Sequence, residues 1–376
     1  MADLQLISLP AQESWNAALS QLPYAHILQT WEWGEFKRAT TGWQPNRLAW
    51  SQNGRLVAMA SVGIRSVGPF KVMYAPKGPA LAYEDSALAA AVLDQLQAFA
   101  RKHGAIWLKI DPDVVAASGV PAESDDRHDP VGQALIAELK RRSWRFSADQ
   151  VQFRNTITLD LSLSESELLA AMGQSTRRKI RVAEREGVTI REGSTADLSL
   201  LYQLYQTTGQ RDDFLIRPLS YYEAAWRRFI EAGLAMPLIA EADGKAVAAV
   251  ILFHFGRKCW YFYGMSSNDS RDKQPNYLLQ WAAIRWAKAN GCDIYDSGAR
   301  LTNLLKVIGS GAFISSSAAF TARLYAISAL GIMRPMPCSI QPIRGRCRAS
   351  SASSNAANPS PVLSPSPRLR GREGQG

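Results

Sequence analysis

The stretch from Lys258 to Asp296 changes its hydrophobic pattern twice. Trp260 to Tyr263 is an aromatic run, which is typical of a strand. The polar segment from Ser266 to Pro275 predicts a loop, and the apolar residues after it recur at three- and four-residue spacing, as on one face of a helix. Gly291 is placed to end that helix, and Cys292 to Tyr295 starts another strand. The stretch therefore predicts a parallel strand–helix–strand unit, in which the loop before the helix is a usual place for a ligand.

The first half of the chain predicts a second unit of this kind. Ala87 to His103 is a strongly amphipathic helix closed by Gly104, and Ala105 to Ile110 is a buried strand that ends at Asp111-Pro112. The other segments also occur twice in similar order, so the chain predicts two copies of one α+β plan. The remaining predicted helices are Gln12–Gln21, one with Thr30 as its N-cap, Pro130–Trp144, Glu165–Glu186, Leu198–Gln206 and Tyr221–Ala232. The remaining predicted strands are Arg47–Ser51, Leu56–Ile64, Lys71–Tyr74, Gln152–Leu161, Thr189–Glu192, Leu238–Ala242 and Ala246–Phe255.

The net charge of +10 lies mainly at the end of the chain. After Asp296 there are ten Lys or Arg and one Glu, which leaves 33 basic against 32 acidic residues before that point. The body of the chain is therefore nearly neutral, and its charge does not indicate binding to nucleic acid or membrane.

Four cysteines and four scattered histidines give neither a disulfide framework nor a metal spacing. We interpret Cys259 and Cys292, which flank the predicted apolar helix, as reduced core residues. The first ten residues resemble no signal peptide, and no apolar run is long enough to span a membrane. These features predict a cytoplasmic protein without a transmembrane segment.

The predicted unit around Ser266 to Pro275 resembles the central motif of the GNAT N-acyltransferase fold. In that fold a Gly-rich loop binds the pyrophosphate of acetyl-CoA at the start of the helix. Here the matching positions, 271 to 276, hold Arg-Asp-Lys-Gln-Pro-Asn and no glycine. Backbone amides approach a phosphate less easily without glycine. The pattern therefore predicts the fold without the usual CoA site, and with a different donor.

Four spaced stretches together resemble the FemABX peptidyltransferases. They are QTWEWGEFK, LKIDPD, FLIRPLSYYEAAW, and YFYGMSS followed by PNYLLQWAAIRWAKANG. The resemblance covers about residues 20 to 296. It implies an α+β fold of two tandem GNAT-like domains, with mixed sheets flanked by helices, at residues 1–157 and 158–296. It also implies that an amino acid moves from aminoacyl-tRNA, with no cofactor, to the stem peptide of a lipid-linked or UDP-linked peptidoglycan precursor, in some cases at the inner membrane face.

The resemblance assigns a substrate-binding role to three residues. Lys37 and Arg217 match the cations that bind the phosphates of the precursor in the family, and a pair of cations suits a diphosphate. Tyr221 follows Arg217 by one helical turn, so it is expected to face the same ligand. The alternative for Lys37 is an ordinary solvated lysine on a helix, whereas Pro218 places Arg217 in a loop, where functional residues are common.

Three further residues are candidates for the reaction centre. Tyr263 and Tyr261 are expected on the same side of their strand, because side chains two residues apart share a face. In the family one tyrosine of this strand lines the acceptor site, and we favour Tyr263 over Tyr261. Asp111 matches an acidic position near the acceptor. The alternatives are that the tyrosines are core residues and that Asp111 caps the turn at Pro112.

The implied reaction is aminolysis of an ester, which requires a neutral amine and stabilisation of an oxyanion but no Ser-His-Asp triad. The basic run STRRKIR is either a tRNA contact or a solvated helix face, and the nearby Glu184 and Glu186 favour the second. Two other functions remain open. One is an acyl-CoA-dependent N-acyltransferase, against which the glycine-free loop argues, and the other is a non-catalytic module that binds precursor or tRNA.

The composition changes abruptly after Asp296, where Ser, Pro, Arg and Ala dominate. A basic disordered tail is the simplest interpretation of residues 297–376. A more specific interpretation is a one-base shift of the reading frame near Ser297. Codons that encode this segment can, when read in the shifted frame, also encode YDFWGAPDE and then WGVYQFK, which resemble a FemABX continuation. That continuation would supply the late lysine of the family's reaction centre and the closing strands. The chain as written is therefore expected to be largely unpacked from Ser297 onward, inactive and prone to aggregate.

Overall fold

The structure is a computed structural model, and it describes residues 4–119, 127–147, 151–153 and 155–298, together with the backbone of 313–316 and 320–323. The α-helices of these ranges are α1 (Gln12–Ser20), α2 (Trp31–Thr41), α3 (Ser86–Lys102), α4 (Pro130–Arg141), α5 (Glu165–Ala171), α6 (Gln174–Arg185), α7 (Leu198–Arg211), α8 (Leu219–Glu231) and α9 (Pro275–Ala289). None of the helices described is both long and apolar enough to cross a bilayer.

The strands form two mixed sheets, which confirms the predicted α+β class. The first sheet has the order β1-β2-β3-β4-β6-β17-β9, with β5 beside β3, and the second has the order β11-β12-β13-β14-β15-β10-β16-β7-β8. The strands are β1 (Gln5–Ile7), β2 (Gln44–Gln52), β3 (Arg55–Val67), β4 (Phe70–Ala75), β5 (Ala80–Leu81), β6 (Ala105–Ile110), β7 (Ala117–Ser118), β8 (Arg127–His128), β9 (Arg145–Phe146), β10 (Asn155–Asp160), β11 (Thr189–Glu192), β12 (Ala235–Ala242), β13 (Lys245–Phe255), β14 (Lys258–Ser266), β15 (Ile294–Asp296), β16 (Phe313–Ser316) and β17 (Phe320–Arg323).

Both predicted strand–helix–strand units are present. In the first, β4 and β6 pair in parallel and α3 connects them, and in the second β14 and β15 pair in parallel around α9. Their apolar helix faces fill separate cores, one against each sheet. A third core joins the two halves, since it packs α1 and α2 of the first half against α7, α8 and β13 of the second. The structure thus has two equivalent halves with a shared apolar contact.

The predicted single helix from Glu165 to Glu186 is wrong, because the chain forms two helices there. Met172 and Gly173 adopt extended backbone with ψ of 145° and 146°, which separates α5 from α6. Glycine lowers helix propensity at that point, and the extended turn directs Met172, which is 3% exposed, into the core of the second half. The break between α5 and α6 therefore allows Met172 to pack in the core, and the hydrophobic periodicity of the sequence does not reveal this contact.

A bulge in β14 overturns the expectation that Tyr261 and Tyr263 share a face. Ile251 of β13 pairs with Tyr263, but the next residue, Leu252, pairs with Tyr261, so Phe262 is an extra residue in β14. One extra residue reverses the alternation of side chains. Tyr261 therefore packs against the core beneath α9, whereas Tyr263 packs in the core shared by both halves.

Two short strands lie within the segment predicted to be unpacked after Asp296. β16 pairs with β10 and β7 in the second sheet, and β17 pairs with β6 and β9 in the first. These eight residues are paired in the sheets, whereas the expectation that residues 297–376 are largely unpacked stays a prediction. The rest of the predicted frameshift segment, from 299, lies outside the described residues, so the frameshift itself stays a prediction.

The domain boundary predicted at residue 157 also stays a prediction. β10 crosses it and lies wholly in the second sheet, and β7 and β8 of the first half extend the same sheet. The second sheet therefore contains strands from both sides of this boundary.

Candidate active site

Lys37 is placed by the first turn of α2, where the Thr30 side chain accepts a hydrogen bond from the Trp33 backbone N–H. The buried Phe36 holds this helix against the core shared by the two halves. The Lys37 Nζ atom donates to the Tyr221 hydroxyl at 2.8 Å and lies 4.8 to 5.4 Å from the ring centres of Trp33, Phe36 and Tyr221. Among the residues that the structure describes, no carboxylate forms an ion pair with it. Lys37 is thus a half-buried cation surrounded by aromatic rings.

This environment lowers the pKa of Lys37 to about 8. Burial is the larger cause, because it removes water from the ammonium group, and the positive charge of Arg217 adds to it. An anion placed between the two cations would stabilise the charged form of Lys37 and raise its pKa. The site is therefore electrostatically suited to an anionic guest.

Arg217 lies in the loop between α7 and α8, and two tyrosines fix its backbone. The Tyr202 hydroxyl donates to the Arg217 carbonyl at 3.1 Å, and the Arg217 N–H donates to the Tyr222 hydroxyl at 3.2 Å. The Arg217 guanidinium carbon lies 4.5 Å from the centre of the Tyr221 ring. Lys37 and Arg217 therefore meet at one side chain, Tyr221, as the sequence predicted, although their roles stay predictions.

Tyr263 borders this group from the aromatic core. Its ring is perpendicular to those of Tyr205 and Tyr222, with centres 5.9 and 6.0 Å away, and it also contacts Trp226. Burial, followed by the nearby Tyr221 hydroxyl, raises the pKa of Tyr263 well above its ordinary value. Tyr263 is therefore a neutral hydroxyl close to Tyr221, whereas Tyr261 lies in a different core.

Asp111 belongs to a second polar group, at the end of β6. Its two carboxylate oxygens accept hydrogen bonds from the Tyr74 hydroxyl at 2.7 Å and from the Lys77 backbone N–H at 2.6 Å. Asp111 is 4% exposed, and burial, only partly offset by Lys77, raises its pKa to about 6. It therefore anchors the loop after β4 rather than simply capping the turn at Pro112, and a role in the reaction stays a prediction.

A network of four charged residues, which we term the ion ladder, extends from this point. It consists of Lys77, Asp113, Lys258 and Asp296. Asp113 lies 3.3 Å from Lys77 and 2.8 Å from Lys258, and Lys258 also pairs with Asp296 at 2.9 Å. Lys77 and Asp113 come from the first half, whereas Lys258 and Asp296 come from the second. The ladder therefore joins the two parallel units through charges of alternating sign.

The ion ladder was not predicted from the sequence. Burial alone would raise the pKa of Asp113, but Lys258 and Lys77 hold it well below its usual range. Burial would likewise lower the pKa of Lys258, but Asp113 and Asp296 raise it above its ordinary value. The sequence signals were Asp113, the second acid of LKIDPD, and Lys258 at the start of an aromatic strand. Neither residue identifies its ion-pair partner.

His26 lies beside the ion ladder as a neutral ring. It is 4% exposed, its ring centre is 4.6 Å from that of Trp260, and its Nδ1 accepts from the Leu28 N–H. Burial holds the pKa of His26 well below its ordinary value. His26 therefore contributes no charge to the site. In the part of the chain that the structure describes, no group of side chains is suited to hold a metal ion.

The loop before α9 contains no glycine but still bends sharply. Ser270 and Gln274 adopt left-handed backbone with φ of 52° and 56°. The Gln274 side chain donates back to carbonyls of the loop, and Lys273 pairs with Asp243. The loop is therefore held by its own polar side chains and by Asp243 in the turn between β12 and β13. The absence of a CoA cofactor stays a prediction.

The basic face of α6 is largely solvated. Arg178, Arg181 and Arg185 are exposed, while Lys179 donates to the Tyr277 hydroxyl at 2.7 Å and so ties α6 to α9. These contacts match the interpretation of STRRKIR as a solvated helix face.

Comparison with known proteins identifies several relatives. A model of the FemAB family matches residues 12–246. Proteins named "Lipid II:glycine glycyltransferase" from Staphylococcus aureus strains MRSA252 and USA300 are each 25% identical over 351 residues, covering 75% of this chain and 82% of theirs. The crystal structure of FemX aligns with a TM-score of 0.75 at 22% identity, covering 87% of this chain and 99% of its own. A tandem GNAT protein from the clavulanic acid pathway aligns with a TM-score of 0.50 at 13% identity, covering 85% and 98%.

Proposed function

Because the chain belongs to the FemAB family, we propose that it moves an amino acid from aminoacyl-tRNA onto the stem peptide of a peptidoglycan precursor. At the level of the family it is an aminoacyltransferase. The precursor in the name of the staphylococcal relatives supports this class of acceptor. The donor and the acceptor amine are part of the proposal.

The observation that carries the proposal is the meeting of Lys37 and Arg217 at Tyr221. Lys37 has no acidic partner among the described residues, and Arg217 stacks on the ring whose hydroxyl accepts from Lys37. Two cations that both lie within 5.4 Å of the centre of one ring repel each other, and an anion between them would relieve this repulsion. A diphosphate offers several charged oxygens to such a pair, with a guanidinium able to bind two of them at once. The group therefore suits the diphosphate of a precursor.

The proposed reaction forms an amide from an ester. The acceptor nitrogen attacks the carbonyl carbon of the aminoacyl ester, and the bond from that carbon to the tRNA ribose oxygen breaks with its electron pair left on the oxygen. The nitrogen loses a proton and the ribose oxygen takes one up, so the tRNA leaves with a free hydroxyl. A carboxyl with a pKa of about 6, such as Asp111, is mostly ionised at neutral pH and has lone pairs beyond the two hydrogen bonds it accepts. Asp111 is thus our candidate to receive the proton, and Tyr263, whose ring lies beside that of Tyr222, is our candidate to line the acceptor site.

The test of the reaction measures transfer directly. The chain as written and a chain with the reading frame restored after Asp296 are incubated with charged tRNA and a UDP-linked or lipid-linked muramyl pentapeptide. In parallel they are incubated with acyl-CoA and simple amines. We expect tRNA-dependent transfer with the restored chain. Transfer from acyl-CoA alone would overturn the proposal, and precursor binding without any turnover would favour a binding module.

We term Lys37, Arg217 and Tyr221 the phosphate site. Its test measures binding of the precursor and therefore does not depend on turnover. UDP-linked muramyl pentapeptide is titrated against the chain and against Lys37→Met and Arg217→Met. Each substitution should weaken binding by about 10- to 100-fold, as expected for a lost charged hydrogen bond. Lys102→Met and Arg228→Met remove exposed cations from α3 and α8 and serve as controls. Unchanged affinity in Lys37→Met and Arg217→Met would contradict the site.

A further inference from the structure

The hairpin of β3 and β4 projects beyond the first sheet. The pairing of β2 with β3 ends at Ile64, whereas β3 and β4 stay paired to the turn, with Val67 opposite Phe70. On its other side, β4 pairs with β6 only from Lys71. Gly68 takes the positive φ of 58° in the two-residue turn. Residues 65 to 70 are therefore a two-stranded ribbon without sheet neighbours.

The tip of this ribbon exposes apolar side chains between cations. Val67 is 55% exposed and Phe70 53% exposed, and as directly opposed residues their side chains lie on the same face. Single exposed apolar residues are common, but an opposed pair at the end of a projecting ribbon is not explained by the packing of the fold. Arg65 and Lys71 flank the pair along the two strands. Apolar tips with cations behind them are typical of segments that enter the interface of an anionic membrane.

The base of the hairpin lies beside the C-terminal end of α2. An open groove of about 540 Å³ lies between it and the end of α2, and its lining includes Thr41, Arg65 and Lys71 but no Asp or Glu among the described residues. The Thr41 hydroxyl donates to the Lys37 carbonyl at 2.9 Å, one turn of helix away. The groove beside Arg65 and Lys71 therefore ends at α2, the helix that also carries Lys37.

We propose that the β3–β4 hairpin docks this protein on an anionic lipid bilayer, with Val67 and Phe70 in the interface and Arg65 and Lys71 at the lipid phosphates. Charge complementarity and continuity with the helix of Lys37 favour a lipid surface over a second copy of the chain. The inference extends the proposed function, since docking would hold the protein at the surface in which a lipid-linked precursor lies. Docking itself requires neither tRNA nor precursor, so its test can fail or succeed independently of transfer.

The test is sedimentation of the full chain with vesicles that contain no precursor. Vesicles of phosphatidylcholine with one third phosphatidylglycerol are compared with pure phosphatidylcholine. Val67→Ser/Phe70→Ser should lower the partition coefficient about tenfold. Arg65→Gln/Lys71→Gln should lower it by about tenfold or more at low salt, with a smaller difference at high salt. The many basic residues after Asp296 also attract anionic vesicles, but they are the same in every variant and cancel from the comparison.

Leu6→Ser/Leu163→Ser is the matched control, because it removes two apolar residues that are 56% and 41% exposed elsewhere. It should bind vesicles as the parent chain does. Equal binding by the tip variant and the parent would overturn the proposal, as would an equal loss in the control. Sedimentation velocity without vesicles tests whether a second copy of the chain covers the hairpin instead. If the parent chain is a dimer, and Val67→Ser/Phe70→Ser dissociates it but leaves vesicle binding unchanged, the hairpin serves self-association.

Discussion

At the scale of single residues, Lys37 shows how position changes the chemistry of a common side chain. Sequence reasoning left it open whether this lysine is a solvated helix residue or a phosphate ligand. The structure places it against three aromatic rings with Arg217 nearby, and this lowers its pKa to about 8. Its charge is therefore sensitive to pH near neutrality, which an exposed lysine would not show.

Binding of the UDP-linked precursor should weaken as pH rises through 8. The protonated lysine attracts the anion and the neutral amine does not, so affinity is full below the pKa and is lost above it. With a pKa of about 8, the dissociation constant should rise about tenfold between pH 7 and pH 9. Titration calorimetry across this range measures the effect.

Lys37→Arg is the control for this pH dependence, since a guanidinium stays charged throughout the range. Its affinity curve should be nearly flat between pH 7 and pH 9. A parent chain whose affinity is equally flat would show that Lys37 does not titrate in contact with the ligand.

Asp111 should destabilise the fold as it ionises. Its folded pKa of about 6 lies above its ordinary value of 3.8, so the folded state holds the proton more tightly. Stability that depends on this proton is present below pH 4 and is lost between pH 4 and pH 6, amounting to about 3 kcal/mol for a shift of two units. The difference in denaturant unfolding between the parent chain and Asp111→Asn, followed over this range, isolates the contribution.

The same variant separates the two roles considered for Asp111. Asparagine must turn a donor towards either the Tyr74 hydroxyl or the Lys77 N–H, so some loss of stability is expected in any case. Tyr74→Phe removes one of these hydrogen bonds without touching the carboxyl and serves as the comparison. If transfer by the restored chain falls equally in both variants, Asp111 acts through structure alone.

At the scale of elements, the bulge in β14 determines which tyrosine can reach a ligand. Tyr263→Phe should weaken binding of the precursor or lower the rate of aminoacyl transfer by about tenfold, because the Tyr263 hydroxyl lies in the aromatic group around Tyr221. Tyr261→Phe should leave both within about twofold, since that ring packs beneath α9. Titration with the precursor measures both variants, and the reverse order of effects would place the acceptor site on the other face of β14.

Elements with strong periodicity could be predicted, whereas their irregularities could not. The amphipathic pattern of α3 and the aromatic run of β14 identified both parallel units, since burying one face requires that spacing. The bulge at Phe262 and the extended pair Met172–Gly173 depend on contacts with distant segments, which a local pattern does not contain. The error over Tyr261 and Tyr263 followed directly, because an inserted residue reverses every face beyond it.

The candidate site was predictable only in part for the same reason. Lys37, Arg217 and Tyr221 stand in motifs that resemble a family, and the structure brings them together. Lys258 stands in no recognised motif, and its importance comes from the acids at residues 113 and 296, which are distant in sequence. Ion pairs between segments far apart cannot be read from one chain, since any acid could be the partner.

At the scale of the whole molecule, the two halves are held by an apolar core and by the ion ladder. The core buries large side chains of both halves, such as Trp15 and Trp226. The ladder also constrains the orientation of the two halves, because Lys258 must lie between Asp113 and Asp296 for all three charges to be paired. We therefore expect the ladder to fix how the loop of Asp111 faces the strand of Tyr263.

Lys258→Met should test this arrangement, since it leaves two largely buried carboxylates facing each other without their shared cation. Removing one member of a buried pair costs about 3 kcal/mol, so unfolding by urea should begin at a clearly lower concentration. Lys273→Met is the matched control: its partner Asp243 is 70% exposed, and the loss should be below about 1 kcal/mol. The loss in Lys258→Met should shrink as pH falls, because Asp113 without Lys258 takes up a proton more readily, whereas Lys273→Met should show little such change. Equal stabilities of the two variants at neutral pH would mean that the apolar core alone joins the halves.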